Sequence, residues 1–100
     1  MTKNNKINYY ELFLKEKDTF DALYYQYRKS PYALPSALKT LERYSETLED
    51  AEYECQLSHR NYENNRQANY YLAEGYVEKV KHFLTIATVT KLQEEQTKQQ

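Results

Sequence analysis

Apolar residues recur at seven-residue spacing along most of this chain. In the middle they are Leu34, Leu41, Leu48, Cys55 and Tyr62. Alanine and leucine residues stand beside them at helical spacing, while carboxylates occupy the other sides. This repeat predicts a long amphipathic helix that packs against other helices. It carries no information about chemistry.

We call the series from Leu34 to Tyr62 the ladder. A second apolar stripe precedes it in the sequence. Phe13, Phe20 and Tyr27 are again seven residues apart, in a stretch that contains neither Gly nor Pro. The pattern predicts a first helix over about residues 7–29, roughly 34 Å long. Lys17 interrupts the stripe, and we expect its methylene groups to lie along the apolar surface.

Two prolines mark the end of this first helix. Pro31 and Pro35 lie four residues apart. Because proline restricts the residue before it and has no backbone N–H, the pair predicts a corner. We expect Pro35 to be the first residue of a second helix, which runs antiparallel to the first.

The end of the second helix admits two interpretations. The seven-residue repeat continues in phase to Phe83, which fits one unbroken helix paired with a second copy of the chain. The apolar stripe fades around Arg66, however, and residues 61–65 include three asparagines, which favour caps and turns. We therefore predict a helix over about 35–61 and a turn near 61–66.

A third helix is predicted over about 66–93, with polar tails at 1–6 and 94–100. Residues 83–90 are rich in β-branched side chains, but an isolated strand has nothing to pair with. Gly75 costs about 1 kcal/mol inside a helix and indicates a close helix crossing or a kink. The chain is thus predicted to be all-α, a small three-helix bundle of long antiparallel hairpins. Self-association through the long helix is the alternative.

Composition narrows the classes of function. A single glycine excludes phosphate-binding loops, dinucleotide fingerprints and nucleophile elbows. A net charge of -1 gives no general affinity for nucleic acid, and no stretch approaches the roughly 20 apolar residues that span a bilayer. The lone cysteine and the polar N-terminus predict no internal disulfide, no signal peptide and a cytoplasmic protein.

Two groups of residues could form a functional site, and each also has a purely structural explanation. Cys55 and His59 are one helical turn apart and, with His82, would form the zinc site of a metal-assisted enzyme. Cys55 also occupies an apolar ladder position, where a thiol behaves as a small hydrophobe, so we expect no metal and no cofactor. The acidic residues from Glu42 to Glu54 fit a basic partner, or simply a solvated helix face.

Tyrosine is unusually abundant: the chain contains twelve tyrosines and no tryptophan. Adjacent residues on a helix differ by about 100° in direction, so the pairs Tyr24-Tyr25 and Tyr70-Tyr71 cannot each face one core. We predict that Tyr25, Tyr53 and Tyr71 face outward. Tyrosine is enriched at protein interfaces, although small proteins also use it at core edges. The predicted partner-binding residues are Tyr24, Tyr25, Arg28, Tyr32, Tyr53, Tyr70 and Tyr71.

The chain resembles small accessory proteins encoded by phages and mobile elements of Gram-positive bacteria. The resemblance lies in the use of Lys, Asn, Tyr and Glu, in the size and in the all-helical pattern, without a shared motif. It implies a non-enzymatic module that binds and modulates or inhibits a host or element-encoded protein, as antirepressors and anti-defence proteins do. A nucleic-acid-associated accessory protein and a helical bundle like the immunity proteins of bacteriocin producers are the alternatives.

Overall fold

The computed structural model describes residues 7–57 and 63–98. These residues form three helices and no strand. They are α1 (Tyr9–Lys29), α2 (Pro35–Leu57) and α3 (Glu63–Lys98). The predicted all-α three-helix bundle is confirmed.

Helix α1 begins two residues after its predicted start because Asn8 caps it. The Asn8 side chain accepts a hydrogen bond of 3.1 Å from the backbone N–H of Glu11. This bond satisfies one of the free N–H groups that every helix N-terminus exposes. At the other end, the N–H of Ser30 donates to the carbonyl of Tyr27 over 3.0 Å and closes the last turn.

The corner between α1 and α2 forms as predicted, with Pro35 as the first residue of α2. The carbonyl of Leu34 accepts the N–H of Leu38 at 2.9 Å, so Leu34 stands just before the helix. Its own N–H donates to the hydroxyl of Tyr27 at 2.9 Å. Placing Leu34 on the buried ladder was wrong: its side chain is 50% exposed, because it precedes the helix whose face is buried.

The chain reverses direction between α2 and α3. The rings of Tyr44 and Tyr76 stack with centroids 3.9 Å apart and planes 5° apart. One unbroken helix would separate these residues by about 48 Å, so that interpretation is wrong. Residues 58–62 lie outside the described residues, and with them positions 61 and 62 of the predicted turn.

Helix α3 is longer at both ends than the predicted range 66–93. It begins at Glu63, because asparagines that disfavour a helix interior are tolerated in a first turn. It ends at Lys98, because the Gln, Glu and Lys residues near its end are strong helix formers and neither Gly nor Pro stops them. The residues from 91 to 98 are all exposed, so the predicted polar tail is solvated but helical as far as Lys98.

The core consists of side chains at helical spacing on all three helices, with aromatic residues on α1 and aliphatic or small residues on α2 and α3. Helix α1 packs more extensively against α3 than against α2. The buried residues are Phe13, Phe20 and Tyr27 on α1, Ala37, Leu41, Leu48, Ala51 and Cys55 on α2, and Ala73, Val77, Val80 and Ala87 on α3.

Helices α1 and α3 run parallel to each other, with α2 antiparallel to both. The ring of Tyr9 lies 5.9 Å from that of Tyr70, and the ring of Tyr27 lies 5.9 Å from that of Phe83. Because α1 ends just after Tyr27, α3 continues for about 22 Å beyond Phe83. That last part of α3 runs past the corner rather than along α1.

Lys17 lies at the boundary between α1 and α2. Its side chain is 14% exposed, and Nζ lies 3.2 Å from Asp21 and 3.6 Å from Glu52 on α2. Burial disfavours the charged amine, but the hydrogen bond to Asp21 and the carboxylates of Asp21, Glu52 and Glu49 outweigh burial and raise the pKa of Lys17. The bridge therefore joins the two helices throughout the neutral pH range.

Gly75 is not at a close helix crossing. A Cβ atom built on Gly75 meets no heavy atom within 4 Å beyond its own helix turn. The predicted crossing is therefore wrong as far as the described residues go. The glycine lies on an exposed position of α3.

Candidate functional site

The three tyrosines predicted to face outward do so. Tyr25 is 58% exposed, Tyr53 is 63% exposed and Tyr71 is 52% exposed. These are large values for aromatic side chains, which usually bury most of their surface. The prediction from helical direction is confirmed for all three.

The seven predicted partner-binding residues do not form one surface. Tyr24, Tyr25, Arg28 and Tyr32 lie where α1 turns into α2, and we name them the corner group. Tyr70 and Tyr71 lie about 22 Å away, beside Tyr9 at the start of α1. These three form the far-end group. Tyr53 belongs to neither and lies on the exposed side of α2.

Two cation–ring pairs organise the corner group. The guanidinium of Arg28 lies 5.6 Å from the centroid of the Tyr24 ring, and Nζ of Lys29 lies 4.5 Å from that of Tyr25. Both pairs have the i, i+4 spacing that places side chains together on a helix. Tyr24 also packs against Phe20, with centroids 5.8 Å apart, so the core fixes its ring. The Tyr25 ring faces solvent and carries a positive charge beside it.

Shallow recesses flank the corner on both sides. The first, of about 400 Å³, combines apolar surface with two cations and one carboxylate. It is lined by Tyr24, Arg28, Pro35, Leu38, Lys39 and Glu42. The second, of about 300 Å³, lies between the corner and α3. Tyr32, Pro31, Leu84 and Ala87 form part of its wall, with Lys91 at its edge.

Tyr32 ties the corner to the end of α3. Its N–H donates to Ser30 Oγ at 3.1 Å, and its hydroxyl donates to Glu94 Oε1 at 3.3 Å. Desolvation, the charge of Glu94 and this hydrogen bond together raise the pKa of Tyr32. The hydroxyl is therefore a neutral donor at physiological pH.

Tyr24 and Tyr70 are held in the neutral form in the same way. Desolvation raises the pKa of Tyr24, with Glu42 and Glu46 adding to the effect and Arg28 opposing it. For Tyr70, desolvation and the neighbouring Glu74 raise the pKa. Both hydroxyls therefore remain available as hydrogen-bond donors at physiological pH.

The far-end group is an aromatic cluster across α1 and α3. The rings of Tyr70 and Tyr71 are 5.2 Å apart, and the ring of Tyr9 lies 6.4 Å from that of Tyr71. Tyr70 donates to Glu74 at 3.3 Å, and Gln67 donates to the Tyr71 hydroxyl at 3.4 Å. Tyr9 was not among the predicted residues, although its position beside Tyr10 gave the same signal as the other tyrosine pairs.

Tyr53 stands among the carboxylates of α2. Glu46, Glu49 and Asp50 are exposed on the preceding two turns, at the helical spacings that place them on the same side. Glu52 points elsewhere and bonds Lys17. The acidic face expected from the sequence is therefore present, and Tyr53 lies at its C-terminal end.

The residues of the alternative metal site are not gathered by the described part of the chain. Cys55 is 1% exposed, and its Sγ accepts a hydrogen bond of 3.6 Å from Asn69. His82 is exposed on α3, and His59 lies outside the described residues. Residues 7–57 and 63–98 contain no group of three His, Cys, Asp or Glu side chains that would hold a metal ion.

The sequence reasoning missed one exposed apolar surface. Ile86, Val89 and Leu92 are 40%, 45% and 52% exposed on the last turns of α3. Their three-residue spacing could have predicted this surface, because it places them on a different side of the helix from the buried Val80 and Ala87.

Comparisons with protein-family models, with curated proteins and with solved structures gave no significant match to this chain. None of the helices in the described residues is both long enough and apolar enough to cross a membrane. The class of protein is therefore defined by the fold alone, as a small three-helix bundle.

Proposed function

We propose that this chain is a non-enzymatic binding module that holds a protein partner through the corner group. The observation that carries the proposal is the exposed Tyr25 ring, with Lys29 over it and the Tyr24–Arg28 pair next to it. Tyrosine and arginine dominate the binding energy of protein interfaces, because they combine a large contact area with hydrogen-bonding groups.

The scaffold supports this role because it holds the corner group in place. Phe20 packs against Tyr24, and Glu94 accepts the Tyr32 hydroxyl, so both rings are ordered before any partner arrives. A surface that is already ordered loses less conformational entropy on binding. The two recesses beside the corner would accept small side chains of the partner.

The biological role that fits such a module is that of a phage or mobile-element accessory protein, which modulates or inhibits a host or element-encoded protein. Size, composition and the all-helical fold support this proposal. The lone buried Cys55 fits a reducing, cytoplasmic environment. A homodimer through the long ladder is not part of the proposal, since Leu41, Leu48 and Cys55 are buried within one chain.

Partner capture with three single-tyrosine variants tests the proposal. The immobilised protein is expected to retain a specific protein from a lysate of the source organism. Tyr25→Ser should weaken retention by about tenfold or more, the effect of losing one interface hot spot. Tyr53→Ser is the matched control, because Tyr53 is equally exposed but lies on α2. Tyr71→Ser reports on the far-end group.

Retention that survives all three substitutions unchanged would contradict a tyrosine-mediated interface. Loss with Tyr71→Ser or Tyr53→Ser alone would move the binding surface away from the corner. Circular dichroism of each variant checks that the bundle is intact, and exposed side chains of this kind seldom affect folding.

Nucleic acid is the second candidate, and one observation favours it. Arg28 and Lys29 stand over two adjacent tyrosine rings, so cations and stacking surfaces alternate at the corner. A net charge of -1 weighs against it. Mobility-shift assays with single-stranded DNA and RNA at low salt decide the matter. Salt-dependent binding that Arg28→Gln removes supports this candidate, and no binding at low salt rejects it.

A further inference from the structure

The inner side of α3 changes from apolar to charged where the bundle ends. Val80 and Ala87 lie on that side and are buried in the core. At about 100° per residue, the next positions on the same side are Lys91 and Glu94. We name residues 91–98 the α3 end. Within the described part of the chain, none of its side chains belongs to the core.

One hydrogen bond joins the α3 end to the corner. The hydroxyl of Tyr32 donates to Glu94 Oε1 at 3.3 Å, and the two residues are 62 positions apart in the sequence. Lys91 forms part of the wall of the neighbouring recess. Within residues 7–57 and 63–98, no other hydrogen bond or ion pair connects the α3 end to another element. Its single polar attachment is therefore to a predicted partner-binding residue.

Tyr32 is the member of the corner group whose position depends on this contact. The other three members lie on α1, whose helical backbone fixes them. Tyr32 lies in the turn between α1 and α2, where its N–H donates to Ser30 Oγ at 3.1 Å. Its ring is half-buried, and Glu94 holds the hydroxyl at the outer end of that ring.

We propose that Glu94 is a positioning residue of the corner group, and that the α3 end and Tyr32 order each other. While the α3 end is helical, Glu94 holds the Tyr32 hydroxyl and so restricts the ring. When the α3 end unfolds, the ring loses this restraint. Short helical segments without packing are marginal in water, so both states are populated.

Partner binding and helix formation in the α3 end are therefore linked. A partner that holds the Tyr32 ring also stabilises the helical α3 end, because coupling between two sites is reciprocal. Conversely, a loosened α3 end lowers the affinity, because the ring must then be ordered on binding. The link to the partner rests on the proposed function, whereas the mutual ordering of Tyr32 and the α3 end is a property of the free protein.

Hydrogen exchange of the free protein tests the mutual ordering. Glu94→Ala should speed exchange of the α3-end amides by about twofold to fivefold, the effect of losing one exposed hydrogen bond. Helix propensity alone predicts the opposite sign, because alanine is the better helix former. Glu95→Ala is the matched control: it makes the same change one residue later, and Tyr32 donates to Glu94 instead.

Two further variants separate this bond from a general effect on the helix. Glu94→Gln keeps a carbonyl oxygen that accepts the Tyr32 hydroxyl, so its exchange should match the wild type. Tyr32→Phe should speed exchange as much as Glu94→Ala. The double variant should be no faster than either, because both substitutions remove the same bond.

The ionisation of Tyr32 supplies a spectroscopic signature. Desolvation, the charge and hydrogen bond of Glu94 and the charge of Glu95 raise the pKa of Tyr32. Glu94→Ala should therefore lower this pKa more than Glu95→Ala does, which NMR of labelled tyrosine rings measures. Equal exchange rates and equal Tyr32 pKa values in these two variants would overturn the mutual ordering.

Partner capture tests the positioning role. Glu94→Ala should retain about twofold to fivefold less of the protein that the wild type holds, because one side chain must then be ordered on binding. Glu94→Gln and Glu95→Ala should retain as much as the wild type. Faster exchange with unchanged retention overturns the positioning role. A wild type that captures no protein rejects the proposed function and the positioning role with it, whereas hydrogen exchange alone decides the mutual ordering.

Discussion

The same residue type has different roles in this chain, depending on its neighbours. Tyr27 and Tyr25 are two positions apart on α1, yet Tyr27 is 1% exposed and Tyr25 is 58% exposed. Helical direction accounts for the difference, and the sequence predicted it. The sequence did not indicate that the Tyr27 hydroxyl would accept the N–H of Leu34 across the corner. That bond exists because the proline corner brings Leu34 back over the end of α1.

Replacing Tyr27 by phenylalanine isolates this bond. Tyr27→Phe should lower the free energy of unfolding by about 1 kcal/mol, because the N–H of Leu34 loses its partner while the packing is kept. Urea titration followed by circular dichroism measures the change. Tyr25→Phe is the matched control and should stay within about 0.5 kcal/mol of the wild type. Equal effects in the two variants would show that the corner bond contributes nothing.

Helices follow local rules where their ends are concerned. Pro35 was readable from residue type as a helix start, and the structure agrees. The Asn8 cap was not predicted, although asparagine is a residue type that favours caps. The end of α3 could not be predicted from residue type, because exposed Gln, Glu and Lys residues fit a helix and a solvated tail equally well. The structure shows that the backbone stays helical as far as Lys98.

Gly75 offers a direct test of helix propensity. Gly75→Ala should raise the free energy of unfolding by about 0.5–1 kcal/mol, because alanine restricts the unfolded chain and its Cβ meets no neighbour. Urea titration again measures it. The reverse change, Ala68→Gly, also concerns an exposed position of α3 and should lower stability by a similar amount. A destabilising Gly75→Ala would mean that the position contacts something outside residues 7–57 and 63–98.

At the scale of the whole molecule, α1 joins the other two helices into one unit. Phe20 is fully buried, and its ring lies 6.4 Å from that of Tyr76 on α3. Lys17 reaches α2 through Glu52. A domain with one such core is expected to unfold in a single cooperative step. Residues 91–98 of α3 are all exposed and contribute no side chain to this core, although Glu94 accepts the hydroxyl of Tyr32.

Hydrogen exchange in the native state tests this division. Phe20→Leu should destabilise the protein by about 1 kcal/mol and reduce protection equally for the slowest amides of α1, α2 and α3. Amides of residues 91–98 should exchange fastest in both proteins. Val89→Ala changes an exposed residue and should leave the slow amides unaffected. A loss of protection confined to α1 would contradict a single cooperative unit.

The sequence by itself determined the helical class, the corner at Pro35, most members of the core and the outward direction of three tyrosines. All of these depend on residue type and on spacing along one helix, which are local properties. The fading apolar stripe and the asparagines in residues 61–65 predicted a turn, but the seven-residue repeat in phase also fitted an intermolecular pair. Only the tertiary structure decided that the chain reverses between α2 and α3. The stacked rings of Tyr44 and Tyr76 settle that point. The reversal also divides the tyrosines into two distant groups.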